Sequence, residues 1–285
     1  MSIDFDHEEI GTLIALALRE DIGPGDATCE AVIPADAVGK TAVVAREELV
    51  YCGTPVVERV VAGIDPALQV TALAEEGAVL QPGDAALELE GPLAGMLTAE
   101  RTFLNFLLRM SGVATMTRRF VDAVAGFPVQ ILDTRKTTPG FRQLEKFAVV
   151  CGGGTNHRMG LYDRVMLKDN HLAGRHADTA AGLVEAVRTA RSAKPDLVIE
   201  VEADSVAQVE ALVGAEPDWI LLDNMDNDTL RTCVALCAGR CKTEASGGVN
   251  LSTVRGIAET GVDAISVGAL THSAPAVDLG LDWRG

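Results

Sequence analysis

The chain has 285 residues, of which 48% are hydrophobic and 23% charged, and its formal net charge is −17. This length fits one large domain or two medium ones, and the composition is that of a globular protein. The negative charge argues against nucleic acid or an anionic membrane as a partner. No apolar run in the sequence approaches the roughly 18 residues of a membrane span, and the first residues are acidic rather than signal-like, so we expect a cytoplasmic protein.

The charge is unevenly distributed along the chain. Residues 1–100 carry 4 Lys and Arg against 19 Asp and Glu, whereas residues 101–170 carry 11 against 5. A basic segment inside an acidic protein favours a small polyanionic ligand, because the surrounding surface would repel a polyanionic polymer.

The first hundred residues predict a mixed, largely antiparallel β unit with a short helix over 8–18. Short alternating runs such as TAVVA and AALELEG are separated by Gly-Pro and Pro-Gly-Asp turn signals. From Thr98 onward apolar residues recur at helical spacing, and Thr98 itself is typical of a helix N-cap.

After this helix, apolar strands alternate regularly with helices. The strands are PVQILD, DRVMLK, LVIEVEA, DWILLDN, KTEASGG and DAISVG, and the helices cover 141–150, 179–192, 205–214, 227–238 and 251–260. This alternation predicts a parallel sheet with helices outside. Six or seven such units favour a barrel, whose ligand site lies at the C-terminal ends of its strands.

Charged and small polar residues gather at those strand ends. They are Arg135, Lys136, Lys168, Glu200, Glu202, Asp223, Asn224, Glu244, Ser246, Gly247 and Gly268, with His157 and Arg158 just ahead of the second strand. Converging cations would repel one another unless an anionic ligand joined them. Glu202 and Asp223 suit Mg²⁺, and a Ser-Gly-Gly turn offers backbone N–H groups to a phosphate. The pattern predicts an enzyme acting on a magnesium-bound phosphate ester and on a second substrate that carries carboxylates.

Each of these features has a purely structural alternative. Arg135 could form an ion pair with Asp133 or Asp163, and the glycine run 152–154 could simply end a helix. Glu200 or Glu202 could be solvated or paired with Lys168. The clustering at consecutive strand ends favours a site, because independent ion pairs have no reason to gather there.

The cysteines and remaining histidines predict no chemistry. Six cysteines do not suggest a disulfide framework. The spacing of Cys233, Cys237 and Cys241 puts them on one side of a helix, and a packed helix face is favoured over a metal site. We expect the remaining histidines to be surface residues, namely His7, His171 and His176.

A series of motifs follows in order over essentially the whole length, namely DIGPGDAT, LTAERTFLNFLLRMSGVAT, DTRKTTPGFRQLEKFAV, GGGTNHRMGLYD, LKDNH, EVEADS, ILLDN, EASGGVN and GVDAISVGALTHSAPAVDLGLD. In these motifs the chain resembles the quinolinate phosphoribosyltransferase family. The resemblance implies transfer of ribose 5-phosphate from phosphoribosyl diphosphate to the ring nitrogen of quinolinate. Loss of a carboxylate as CO2 would then leave nicotinate mononucleotide and diphosphate, in de novo NAD synthesis.

The resemblance also implies roles for individual residues. Arg135, His157, Arg158 and Lys168 would bind the quinolinate carboxylates, with Arg101 reaching in from a partner subunit. Lys136 would lie between the two substrates and act in catalysis with Glu202 and Asp223, which would also hold Mg²⁺ through water. Ser246, Gly247, Gly268 and His272 would bind the 5-phosphate.

The fold implied by the resemblance is an N-terminal α/β sandwich followed by an incomplete α/β barrel of the seven-stranded type. We place the first domain at 1–110, joined by the tail 273–285, and the barrel at 111–272. The working unit would be a homodimer or a larger homo-oligomer. Cys29, Phe147 and Val150 depart from the family pattern without removing an implied contact.

Three other functions compete with this one. A molybdenum-associated relative would share the fold, but the intact NHR and KDNH motifs count against it. A non-catalytic barrel that binds a phosphorylated metabolite would not gain from Glu202 and Asp223 without a metal. A nicotinate-specific phosphoribosyltransferase would not need a second carboxylate clamp.

Overall fold

A computed structural model describes residues 4–174 and 179–284, which form two compact units. The first contains the described residues up to Arg118, Thr137–Gly153 and those from Leu270 onward. The second contains Arg119–Lys136 and, with the gap above, Gly154–Ala269. The division differs from the 110/111 boundary of the sequence analysis mainly in the segment 137–153, which returns to the first unit. His176 lies outside the described residues.

The secondary structure follows the expected order. In chain order the elements are α1 (Glu8–Ile22), α2 (Ala27–Val32), β1 (Val38–Ala45), β2 (Leu49–Val50), α3 (Thr54–Ile64), β3 (Gln69–Ala72), β4 (Val79–Leu80), β5 (Ala85–Pro92), α4 (Leu93–Ala123), β6 (Gln130–Leu132), α5 (Arg142–Cys151), β7 (Val165–Leu167), α6 (Asp169–Gly174), α7 (Ala180–Ala193), β8 (Ile199–Ala203), α8 (Val206–Val213), β9 (Trp219–Asp223), α9 (Asn227–Cys237), β10 (Lys242–Ser246), α10 (Val254–Ala258), β11 (Ala264–Ser266), α11 (Ala269–His272) and β12 (Leu279–Trp283).

The first unit is built on an antiparallel sheet with strand order β12-β1-β5-β3. Its outer strand β12 comes from the far end of the described chain and pairs with β1 from Thr41 opposite Trp283 to Ala45 opposite Leu279. Helix α3 has four fully buried valines, at positions 56, 57, 60 and 61. Each fully buried valine contributes roughly 1.5–3 kcal/mol by leaving water.

Helix α4 begins five residues earlier than the sequence analysis predicts. Its first residue is Leu93, directly after β5, whereas Thr98 lies inside the helix. Pro92 marks the junction as the last residue of β5, where a residue without a backbone N–H is tolerated. Thr98 has a different role from the expected N-cap: its hydroxyl donates a hydrogen bond to Asp26 Oδ2 at 2.9 Å.

The segment 137–153 is attached to the first unit by a buried ion pair. Glu145 has no exposed surface and accepts hydrogen bonds from Arg109 Nη2 at 2.6 Å and from Thr138 N at 3.0 Å. Arg109 also donates to the carbonyl oxygens of Thr271 and Ala274. One arginine of α4 therefore holds two distant parts of the chain, which explains why this segment belongs to the first unit.

The second unit is a parallel sheet with strand order β6-β11-β10-β9-β8-β7. Thr155 adds a parallel bridge beside Leu132 at the β6 edge, so that seven backbone segments lie side by side. Helices follow most of the strands along the chain, which gives the strand–helix alternation of an α/β barrel. The expected α/β class is confirmed.

The cysteines of α9 pack in the core. Cys233 and Cys237 are buried on the helix, and Cys241 is buried just after it, beyond the left-handed cap at Ala238. The packed-face interpretation therefore holds for two of the three. His7 and His171 are exposed, as expected. No helix among the described residues combines the length and apolar character needed to cross a membrane.

Candidate active site

A pocket of about 480 Å³ opens at the C-terminal ends of the parallel strands. Nine of the twelve residues to which the resemblance assigns a role line it, namely Arg135, Lys136, His157, Arg158, Lys168, Glu202, Asp223, Ser246 and Gly247. This volume lies within the range of small-molecule sites. The second unit therefore gathers cations, carboxylates and a glycine turn around a single cavity.

Strand register explains why these side chains share one cavity. Glu202 lies beside Leu221, which lies beside Glu244, while Asp223 lies beside Ser246. Paired residues of a sheet face the same side, and so do residues two apart in one strand. All five therefore project from the same face, and all line the pocket.

Two guanidinium groups share the cationic side of the pocket. Arg135 follows β6 and is half-buried, and Arg158 is buried in the loop before β7. Burial lowers the pKa of Arg158, and the like charge of Arg135 lowers it further. Because such crowding disfavours both charges, an anionic ligand between them would relieve the repulsion.

The loop that carries His157 and Arg158 is held by a buried aspartate. Asp133 has no exposed surface and accepts hydrogen bonds from Asn156 Nδ2 at 2.7 Å and from His157 N at 2.8 Å. A carboxylate that accepts such bonds fixes the backbone it contacts. Asp133, the first residue of the DTRK motif, thus positions the NHR motif at residues 156–158.

His157 lies over two buried carboxylates. Its Nε2 is 3.1 Å from Glu200 Oε2 and 3.3 Å from Glu244 Oε2. Burial lowers the pKa of His157, but the hydrogen bonds and charges of the two glutamates outweigh burial and raise it to about 9. In the protonated ring, Nε2 can still donate to the two glutamates. Nδ1 then carries a proton and no longer accepts the hydrogen bond from Arg158 N. At neutral pH this ring is a cation on the pocket wall.

The two glutamates differ in their surroundings. Glu200 also accepts from Arg164 Nη1 at 3.1 Å, and its pKa is lowered by His157 and Arg164 in spite of burial. Burial raises the pKa of Glu244, and the charge of Glu200 raises it further. Glu200 is therefore the ionised partner of His157, and Glu244 is the more readily protonated one.

The anionic side of the pocket consists of Glu202 and Asp223. Lys168 Nζ lies 2.5 Å from Glu202 Oε2, and Asp223 Oδ2 accepts from Asn224 Nδ2 at 2.6 Å. The alternative in which Glu202 pairs with Lys168 is therefore realised. Two carboxylates on adjacent strands form an oxygen donor set of the kind that hard cations prefer.

The turn after β10 requires glycine. Gly247 has φ +102°, and a Cβ at this position would overlap the side-chain oxygen of Asn224. The turn lies at the pocket with Ser246 on one side and Gly248 on the other. A backbone without a side chain leaves the N–H groups open to a ligand.

Three predicted site residues do not line this pocket. Gly268 belongs to the second unit, just after β11. Arg101 is exposed on α4, and His272 is exposed at the end of α11, both within the first unit. Their predicted roles stay predictions.

Three lining residues had no signal in a single sequence, namely Met166, Leu221 and Ser266, whereas a fourth, Thr134, belongs to the DTRK motif. Apolar and small residues in strands look like core, and only the register places them in the pocket. Asn224 and Glu244, which the sequence predicts at the strand ends, also line the pocket.

Known proteins similar to this chain agree with the motifs. A family model described as quinolinate phosphoribosyl transferase, N-terminal domain, matches residues 26–111, and the corresponding C-terminal domain model matches residues 113–282. Nicotinate-nucleotide pyrophosphorylase [carboxylating] of Mycobacterium leprae is 43% identical, covering 99% of this chain and 100% of that protein. A probable enzyme of the same name in Bacillus subtilis is 39% identical, covering 97% and 94%.

Solved structures agree as well. NadC from Streptococcus pyogenes superposes with a TM-score of 0.92 at 36% identity over 100% of both chains. Nicotinate-nucleotide pyrophosphorylase from Francisella tularensis gives 0.91 at 35% identity over 97% of this chain and 96% of that one. With both domain models matched in order and identities near 40% over nearly the full length, this chain belongs to the quinolinate phosphoribosyltransferase family.

Proposed function

We propose that the pocket of the second unit is the site at which this chain transfers a phosphoribosyl group to quinolinate. The family's enzymes are named for this reaction, which consumes phosphoribosyl diphosphate and releases diphosphate and CO2. The chain is accordingly a pentosyltransferase of NAD synthesis. The observation that carries the assignment of the pocket is the crowding of Arg135 and Arg158 beside a protonated His157.

The cationic wall fits a dicarboxylate. Arg135 and Arg158 offer the planar, two-pronged donors that bind a carboxylate, while His157 and Lys168 add single charges. Quinolinate has two adjacent carboxylates, so its charge matches this wall better than that of nicotinate, which has one. The cations would act mainly by holding the ring nitrogen in position to attack the ribose.

The anionic wall fits the other substrate. Positive charge develops at the anomeric carbon as diphosphate leaves, and carboxylates beside it stabilise that transition state. Glu202 and Asp223 are placed for this task, and Lys136 would stabilise the departing diphosphate. The same two carboxylates fit Mg²⁺ bound through water, which when present would neutralise charge on the diphosphate.

The 5-phosphate would bind at the glycine turn. Ser246 and Gly247 supply a hydroxyl and an uncovered backbone N–H within the pocket. Gly268 and His272 would complete this subsite, as the family motif implies.

We further propose that the chain works as a homodimer or larger homo-oligomer in which Arg101 enters the site of a partner. Exposure of Arg101 on α4 is compatible with this role. A cytoplasmic location also stays a prediction.

A mixing assay tests the proposal. Purified protein, quinolinate, phosphoribosyl diphosphate and Mg²⁺ should release diphosphate and CO2 in equal amounts, whereas nicotinate in a parallel reaction should release little diphosphate. Arg135→Ala should lower kcat/KM for quinolinate by roughly 100-fold or more, as loss of a buried charged hydrogen bond implies. Release of neither product by folded protein would favour the molybdenum-associated or binding-only alternative, and equal use of nicotinate would favour a nicotinate enzyme.

A further inference from the structure

The first unit contains a compact group of metal-ligating side chains, none of which is among the residues that line the pocket. The group consists of Cys52, Glu76 and Cys151, one donor atom of each lying within 4.8 Å of the other two. Cys52 is fully buried, and the other two are half-buried. None of the three is used in the proposed reaction.

The three donors come from segments that hydrogen bonds fix against one another. Gly77 N donates to Tyr51 O, and Tyr51 N donates to Ala78 O, both at 2.9 Å. These bonds hold the backbone beside Glu76 against the backbone beside Cys52. The donor group is therefore arranged in advance rather than brought together by chance contact of surface side chains.

The third segment is fixed as closely. A Cβ on Gly77 would lie 2.7 Å from Cys151 O, so the two backbones are in direct contact, and the φ of Gly77 is +84°. Cys52 is anchored in turn by Ser111, whose hydroxyl lies 3.0 Å from Cys52 N and 3.2 Å from Cys52 O.

The carboxylate of Glu76 is oriented by the start of α3. Its two oxygens accept from Gly53 N and Thr54 N, each at 2.8 Å, and Cys151 Sγ lies 3.9 Å from Oε2. Each oxygen keeps a second lone pair for another partner. The negative charge thus lies beside both thiols without depending on them.

This neighbourhood is unfavourable for thiolates in the absence of a cation. Cys52 is fully buried beside Cys151 and the carboxylate of Glu76, and neighbouring anions in a buried place are costly unless a cation compensates their charge. A divalent cation reverses the balance, since it attracts all three anionic donors and displaces the two thiol protons. Soft sulfur donors select Zn²⁺ and similar ions over Mg²⁺.

We propose that Cys52, Glu76 and Cys151 form a binding site for one thiophilic divalent cation of the Zn²⁺ class. Zn²⁺ binds sulfur at about 2.3 Å and carboxylate oxygen at about 2.0–2.2 Å, so tetrahedral donors lie roughly 3.5–3.8 Å apart. Closing the present group requires movement of about 1 Å. Three protein ligands leave a fourth position for water.

Cadmium titration of the reduced, chelator-treated, untagged chain tests the proposal. Cd²⁺ bound to thiolate gives an ultraviolet charge-transfer absorption that carboxylate sites lack. The absorption should saturate at one Cd²⁺ per chain, and Zn²⁺ should compete for the site. Because the readout does not involve catalysis, it is independent of the proposed enzymatic function.

Variants assign the site to these residues. Cys151→Ala removes one of the proposed ligands. It should weaken Cd²⁺ binding by more than the roughly 10- to 100-fold that follows the loss of a residue hydrogen-bonded to a metal ligand. Glu76→Gln, which retains every thiol, should weaken binding at least about 10-fold. Cys241→Ser is the matched control. It removes a buried thiol from the cysteines around α9, which are not part of the proposed site, and it should leave Cd²⁺ binding unchanged. Thermal unfolding of each variant checks that it folds.

Three results would overturn the proposal. One is the absence of thiolate absorption at one equivalent of Cd²⁺. A second is full retention of binding in both Cys151→Ala and Glu76→Gln. The third is loss of binding in Cys241→Ser, which would assign the cation to the cysteines around α9.

Discussion

Lys168 Nζ lies 2.5 Å from Glu202 Oε2 within the pocket, so one member of the cationic wall is joined to one member of the anionic wall. Lys168 is exposed over 42% of its side chain and Glu202 over 15%. In the proposed reaction, binding of a quinolinate carboxylate by Lys168 would compete with this pair. Each substrate would then change the surroundings of the residue proposed to bind the other.

Glu202→Gln tests this relationship. The variant keeps the shape of the side chain but removes the charge that we propose stabilises the anomeric carbon, so kcat should fall by roughly 100-fold. The KM for quinolinate should change much less, because Lys168 is released rather than lost. Steady-state kinetics with both substrates measure the two effects.

Asp204→Asn is the control for Glu202→Gln. Asp204 is exposed one residue beyond β8 and does not line the pocket. Its kinetics should match those of the unmodified chain. A fall in kcat in this control would show that the effect of Glu202→Gln comes from the general loss of negative charge.

His157 should make stability depend on pH in a defined window. Its folded pKa of about 9 exceeds the ordinary value of 6.5, so its contribution is complete below about pH 6.5 and is lost as pH rises through 9. The shift corresponds to about 3 kcal/mol at most. Urea unfolding between pH 6 and 10, compared with His157→Gln, isolates this contribution, because Gln donates a hydrogen bond but does not titrate. Parallel curves for the two proteins would contradict the prediction.

Glu145→Ala should destabilise the first unit by about 3–5 kcal/mol, because it leaves the charge of Arg109 partly buried without its carboxylate. The free energy of unfolding in denaturant measures the loss. Glu210, exposed on α8, provides the comparison, and Glu210→Ala should change stability by no more than about 0.5 kcal/mol. Equal effects of the two substitutions would show that the buried pair contributes nothing.

Gly112→Ala and Gly11→Ala should have opposite effects. In α4, a Cβ on Gly112 would overlap the carbonyl oxygen of Pro275, so alanine there must displace backbone and should cost about 1–3 kcal/mol. In α1, a Cβ on Gly11 meets no atom of the described residues within 4 Å, and alanine should stabilise by about 0.5–1 kcal/mol. Melting temperatures should therefore move in opposite directions, and two shifts of the same sign would refute the close approach.

The sequence alone predicts much of the second unit because its strands are continuous apolar runs bounded by polar residues. Helices α7, α8 and α9 begin at or within one residue of the predicted positions, and the side chains of Thr179 and Asp226 cap α7 and α9. The first unit is harder to predict, because its sheet joins strands that are distant in sequence. The start of α4 is also missed, because Thr98 resembles an N-cap although the helix already begins at Leu93. Glu200 and Glu244 are predicted at the strand ends, but their burial and their contact with His157 are not, because a glutamate in a strand looks the same in the sequence whether it is solvated or buried.

The pairing of β12 with β1 has a consequence for synthesis. Until residues 279–283 leave the ribosome, β1 has β5 on one side only and presents its other edge unpaired. An unpaired edge is a template for association with other chains. The parallel sheet of the second unit, whose strands all precede residue 267, is available for folding earlier. We therefore expect nascent chains arrested before β12 to aggregate through β1. Pairing of β12 with β1 would cover this edge and prevent such self-association.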